Sequence, residues 1–339
     1  MQAKQNNIST INRLTALWAL GESGLGGWMH ALRLPFTGIF VGGFAVLIIG
    51  LIAHYSNNSA KQILKATLLV LLVKAAVSPQ SPLPAYIAVS FQGLIGALLF
   101  WIMPRIRLTP ILFGIVAMLE SALQMVLMKT LIYGMAIWEA LDMFFGKIVK
   151  ELHLTTNISF SLWVICAYCG GYALWGLILG IWINRLPKQL EQRADDIKQQ
   201  AADLKGTSAD ITISKKQKRN TRLIVAFSIL LFIVGVFLMS GSSMSKALYI
   251  VIRTVAVLLL IFWIVVPITK WLLQKFIDRQ QEKNRAEMQS LINQLPELRS
   301  YLKPAYVIAS GKYKGLRRYR EFVFILLVLS LQTTRIENE

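Results

Sequence analysis

Basic residues in this chain are strongly segregated. Two blocks, 185–222 and 270–320, hold 22 of its 36 Lys and Arg, while the long stretches outside them are mainly apolar. Lys and Arg that flank membrane spans stay on the cytoplasmic side, so this segregation predicts a multi-spanning membrane protein and its orientation. The net charge of +19 then reflects topology and contact with anionic lipids, since basic segments beside a bilayer meet its headgroups at about 1 kcal/mol per residue. No aromatic-interleaved RNA motif accompanies the blocks, which argues against a nucleic-acid partner.

With 339 residues and 55% hydrophobic content, the chain has room for several spans of about 20 residues each. Six are expected at roughly 12–30, 35–54, 62–78, 84–103, 108–134 and 158–184. The apolar run Leu14–Leu20 reads as the start of the first of these, not as a cleaved leader, because so many apolar segments come after it. Prolines fall where helices stop: Pro35, Pro79, Pro82, Pro104 and Pro110. An inside N-terminus places Lys4, Arg13, Lys61, Lys65, Arg105, Arg107 and the block from Arg185 in the cytoplasm, and leaves the 78–84 loop outside without a basic residue. Two further spans are expected at 222–240 and 247–269. The last apolar run, Phe322–Leu331, is below the ~17 residues needed to cross alone. It is expected to be half-inserted, packed against other helices, or part of a truncated final span.

The expected fold is therefore all-α: a polytopic membrane helix bundle of about six spans, plus two or three further spans with cytoplasmic amphipathic helices. Its expected divisions are 1–186, a cytoplasmic connector at 187–221, and 222–339. In the connector, Leu190, Ala194, Ile197, Ala201 and Leu204 form a helical apolar stripe suited to a membrane surface or a partner helix. Met288, Leu291, Leu295, Leu298 and Leu302 form another, interrupted by Pro296 and ended by Pro304.

Carboxylates and amines at membrane depth are costly and face a cavity, a partner or a ligand. Glu22 lies in the glycine-rich run Gly21-Glu22-Ser23-Gly24-Leu25-Gly26-Gly27. Lys74, Gln92, Glu120 and Gln124 are similarly placed, the last two four apart on one helix face. With His30, these line a solute pocket; the alternative is a Lys74–Glu22 or Lys74–Glu120 pair that only locks the bundle. Thr15, Ala19, Ser23 and Gly27 repeat every four residues as a small-residue ridge, which admits a second helix closely. Packing within the chain is the simpler use of that ridge, and docking of a separate helix domain the sharper one. Gly176/Gly180 is a seam of the same kind. Cys166-Ala-Tyr-Cys169 has redox spacing but lies mid-span, so small buried thiols are expected. Arg253 is expected to snorkel or pair. No metal site is expected, and no phosphate-cradling Gly-x-x-x-x-Gly-Lys loop is found, so any ATP is used by other subunits.

Several segments resemble the membrane components of energy-coupling-factor (ECF) transporters, a class of ABC importer. Pro35-Phe-Thr-Gly-Ile-Phe-Val-Gly-Gly-Phe-Ala-Val-Leu-Ile-Ile-Gly resembles the second-span region of the cobalt/nickel type of substrate-binding S component. Val73-Lys-Ala-Ala-Val-Ser-Pro-Gln-Ser-Pro-Leu-Pro-Ala-Tyr and Phe91-Gln-Gly-Leu-Ile-Gly-Ala resemble the next segment of that component. The resemblance implies six spans with both ends in the cytoplasm of a bacterial inner membrane. It also implies a first-span ridge that docks a T component, which Thr15, Ala19, Ser23 and Gly27 match. Metal-binding members ligate through an N-terminal Met-His; Met29-His30 here is internal, leaving a vitamin, a precursor or a metal ion open as solute. Residues 222–335 resemble a T component, whose short arginine motifs touch ABC-type ATPases. Arg299 and Ser300, then Ala309 and Gly311, stand at the matching places, the second without its arginine. The rival expectation is a non-transporting membrane scaffold whose basic amphipathic helices recruit a cytoplasmic partner. A lipid-handling enzyme would need a polar catalytic cluster, and none is evident.

Overall fold

The computed structural model describes residues 2–25, 37–78, 81, 83–104, 106–151, 159–204, 221–239 and 244–336. All regular structure among them is helical, with no strand. In chain order the helices are α1 (Gln2–Leu20, continued by a π-helical turn, Gly21–Leu25), α2 (Thr37–Tyr55), α3 (Ser59–Val77), α4 (Leu83–Ile102), α5 (Thr109–Tyr133), α6 (Ala136–Glu151) and α7 (Phe160–Gln192). There follow α8 (Ala194–Leu204), α9 (Thr221–Met239), α10 (Met244–Leu260), a second π segment (Ile261–Val265), α11 (Val266–Lys283), α12 (Arg285–Ser300), α13 (Leu302–Lys312) and α14 (Gly315–Ile336).

Among the described residues four helical stretches are long and apolar enough to cross a membrane: Leu83–Ile102, Thr109–Tyr133, Phe160–Gln192 and the continuous Met244–Lys283. Only 11% of the most apolar window of Met244–Lys283 is buried, and Trp263 is 80% exposed. Apolar surface on that scale is unfavourable in water and is at home in lipid. The count of six to nine spans expected from the sequence is reached only in part. Over their described residues α2 and α9 are apolar but short. Lys61, Lys65 and Lys74 make α3 too charged.

The chain forms two compact units, each assembled from separated segments: residues 1–118, 173–212 and 275–339, and residues 119–172 and 213–274. The divisions expected at 187–221 follow composition, whereas these units follow contacts.

In the first unit α2 is the centre. Phe44 to Ile49, Leu51 and Ile52 are all at most 3% exposed, because α1, α3 and α4 pack around the helix. Asn58 starts α3 by accepting from the Lys61 amide (3.2 Å), and the Ser78 amide closes it on the Lys74 carbonyl (2.8 Å). Four residues of each expected amphipathic stripe are buried within this unit, while Met288 is half-buried and the side chain of Leu204 lies outside the described residues. Leu190, Ala194, Ile197 and Ala201 are inside, with α8 against α13 and α14. Leu291, Leu295, Leu298 and Leu302 are inside too, with α12 against α1 and α3. Pro296 does not interrupt α12: it sits on the exposed side, and the helix ends four residues later. The short run from Phe322 to Val328 is at most 7% exposed within α14, which packs on α1, α8 and α13. Packing on other helices is one of the three uses expected for that run. The Gly176/Gly180 seam is a close crossing of α5 and α7. A Cβ on Gly176 would strike the Gly114 carbonyl, and one on Gly180 would strike the backbone of Ile111.

The second unit has a small core of Tyr133, Ala140, Ile233, Phe237 and Ile250, where α9 packs on α6 and α10. Gly134 turns the chain from α5 to α6 at φ +70°, and the Arg253 guanidinium lies against it, leaving no room for a side chain. The second unit also ties α6 to the start of α7. Asp142 accepts from the Ser161 amide (2.7 Å) and hydroxyl (2.9 Å), and from Ser159 Oγ (3.2 Å). Burial opposes ionisation of Asp142, but these bonds and one from the Phe160 amide outweigh it and hold the carboxyl below its ordinary range.

Candidate functional site

The α-helical pattern of α1 gives way to a π turn at Gly21–Leu25, where two glycines weaken the ordinary ladder. Such turns recur at functional positions in helices. This one carries Glu22. Lys74, in the last turn of α3, donates from Nζ to Glu22 Oε2 at 2.6 Å, with side-chain exposures of 3% and 8%. Tyr86 of α4 lies beside the ammonium, 5.8 Å from ring centroid to Nζ. Ser78 Oγ donates to the Ser23 carbonyl (3.2 Å), tying the end of α3 to the same turn. The result is a largely buried, two-charge centre inside an apolar bundle.

The other expected pocket residues are distributed elsewhere. Gln92 is 2% exposed, with Oε1 lacking a hydrogen-bond partner. It adjoins Gly93, which packs on Thr67, whereas Lys74 faces Tyr86. That separation is six residues of α4, about 9 Å along its axis. Glu120 and Gln124 belong to the second unit, where Glu120 Oε2 is buried with no hydrogen-bond partner. His30 and Gly27 lie outside the described residues, as does His153.

Of the small-residue ridge, Thr15 and Ala19 are at most 2% exposed and enclosed by the chain's own helices. Thr15 Oγ1 donates to the Ile11 carbonyl (2.8 Å) and Ser23 Oγ to that of Ala19 (2.6 Å), so both hydroxyls are spent within α1 and its π turn. Arg299 and Ser300 are exposed at the end of α12; Gly311 is exposed and Ala309 buried in α13. Cys166, expected buried, is exposed, because it lies on the outer face of the apolar helix α7. Arg253 is half-buried against Gly134, and its Nη1 is buried with no hydrogen-bond partner. Among the described residues no group of three His, Cys, Asp or Glu is placed to hold a metal ion.

Two buried charge centres are not evident from the sequence. Arg13, 8% exposed, donates to Glu297 Oε1 and to the Ser330 carbonyl, each at 3.2 Å. Tyr301 donates to the same Glu297 oxygen at 2.8 Å. Glu321, 4% exposed, accepts from Arg193 and Arg320, both at 3.0 Å. In sequence both arginine sets read as topological charge. The signal that could reveal them is position: Arg13 falls on the apolar face of its helix, and Glu321 directly precedes the Phe322–Leu331 run.

No family model matches this chain, and neither a curated protein nor a solved structure matches it.

Proposed function

We propose that this chain is a bacterial inner-membrane subunit of an ECF-like importer, capturing a small solute and driven by separate ABC-type ATPases. The observation that supports the reading is the buried Glu22–Lys74 pair at a π turn. Ionisable groups at that depth in an apolar bundle are expensive to keep and mark solute paths. The exposed Arg299 and Ser300, where α12 meets α13, are the proposed contact with the ATPases. The solute is a vitamin, a precursor or a transition-metal ion, and the N-terminus is cytoplasmic in this scheme.

A non-transporting scaffold is the second reading, favoured by the pair being closed on itself at 2.6 Å. Affinity purification from native membranes in mild detergent, with mass spectrometry of proteins and small molecules, tests the two. Co-purified ATPases, lost on R299A, support the importer. Recovery without ATPases, while a known membrane complex from the same preparation survives, sinks it. The E22Q/K74M double variant separates them further, abolishing solute retention in the importer and leaving partner recruitment unchanged in the scaffold.

A further inference from the structure

We propose that the first unit carries a binding site for the phosphate headgroup of an anionic phospholipid, in a cavity between α7 and the start of α14. The cavity encloses about 500 Å³, a size typical of small-ligand sites.

Its chemistry is graded along one face of α7. Trp175, Ile178, Trp182, Arg185 and Gln189 recur at three- and four-residue spacing, Arg193 follows four residues on, just past the end of α7, and all line it. The face passes from aromatic to guanidinium within five turns, about 27 Å. Trp at such a boundary marks the membrane–water interface, and arginine just beyond it meets headgroups. From α14, Arg317, Arg320 and Glu321 complete the polar end. Four arginines face one carboxylate, so three positive charges are left unbalanced.

The arginines are held in two ways. Glu321, 5% exposed at its side chain, accepts from Arg193 and Arg320 and fixes both guanidinium groups. Arg193 also stacks on Phe324 at 4.6 Å. Arg185 and Arg317 have no carboxylate partner among the described residues. Both are exposed, and Arg317 lies over the Tyr313 ring at 5.0 Å. Two oriented guanidinium groups beside two unpaired ones match a phosphate, which accepts paired N–H bonds. The floor selects an apolar tail: Trp175 and Tyr319, with centroids 6.2 Å apart, form a wall that Tyr319 anchors by donating to the Phe40 carbonyl at 2.9 Å. A soluble phosphate would use the arginines and leave that wall idle, which favours a lipid. The site is independent of the importer reading.

The test is native mass spectrometry of the full chain in detergent, offered equal phosphatidylglycerol and phosphatidylcholine. At about 1 kcal/mol per arginine, losing Arg185 and Arg317 together removes about 2 kcal/mol, or roughly thirtyfold in affinity. The wild type is expected to retain phosphatidylglycerol preferentially, R185Q/R317Q to lose most of that preference, and K270Q/R279Q to keep it. The last pair removes as much charge from exposed positions outside the cavity. An equal loss in both double variants means diffuse electrostatics and overturns the site. So does a wild type with no preference. Displacement of bound lipid by glycerol 3-phosphate at comparable concentration assigns the site to a soluble phosphate and overturns the lipid. Should R185Q/R317Q fail to fold, the wild-type preference and that competition still decide.

Discussion

Removing one partner of the Glu22–Lys74 pair should cost far more than removing both. In K74M the Glu22 carboxylate is left beside apolar side chains, and in E22Q the Lys74 ammonium is, at a site where the two side chains are 8% and 3% exposed. Breaking a buried pair by removing one partner costs about 3–5 kcal/mol, because it leaves an uncompensated buried charge. E22Q/K74M leaves no buried charge and should lie close to the wild type. The assay is the midpoint of thermal unfolding in mild detergent at neutral pH for all four chains. Additive single effects, or a double variant less stable than either single one, would refute the closed pair.

Asp142→Ala removes the carboxylate that binds the start of α7, and should cost about 1 kcal/mol, the ordinary worth of a helix cap. Because the Asp142 carboxyl is held below its usual range, that contribution is present above the unfolded carboxylate range and is lost as pH falls below about 3.9. Unfolding midpoints of D142A and wild type should therefore differ at pH 6 and converge in acid. Gly180→Ala drives a methyl into the backbone of Ile111 and should destabilise by about 1–3 kcal/mol. Gly171→Ala, where nothing lies within 4 Å, is the matched control in the same melting assay.

Periodicity is the part of this fold most legible in the sequence. The stripes at 190–201 and 291–302 mark buried helix faces because the spacing of apolar residues fixes which side can be covered, whatever covers it. The covering surface is not encoded locally: a membrane, a partner helix and the chain's own α14 all satisfy the same stripe. Helix ends are less legible, because proline is an ambiguous stop. Pro187 and Pro296 lie inside α7 and α12. The candidate site obeys the same logic. Glu22 and Lys74 stand out as charges in apolar surroundings, yet only the packing of α1 on α3 selects Glu22 over Glu120 as the partner of Lys74. Arg13 is hidden for the opposite reason: at the edge of the expected first span it reads most simply as a topological charge, and its place on the apolar face of α1 hints at a partner without naming Glu297.

The remoteness of that partner in the chain has a consequence for synthesis. Arg13 and Glu297 are 284 residues apart in sequence, and ribosomes add about 5–20 residues per second. For roughly 15 to 60 s the guanidinium of α1 must therefore be sheltered by something other than its final partners. Water at the bilayer surface, a lipid phosphate or an insertase can do so. Of these helices α1 is made early and completed late, and biogenesis of this protein should be unusually sensitive to whatever holds α1 during that interval.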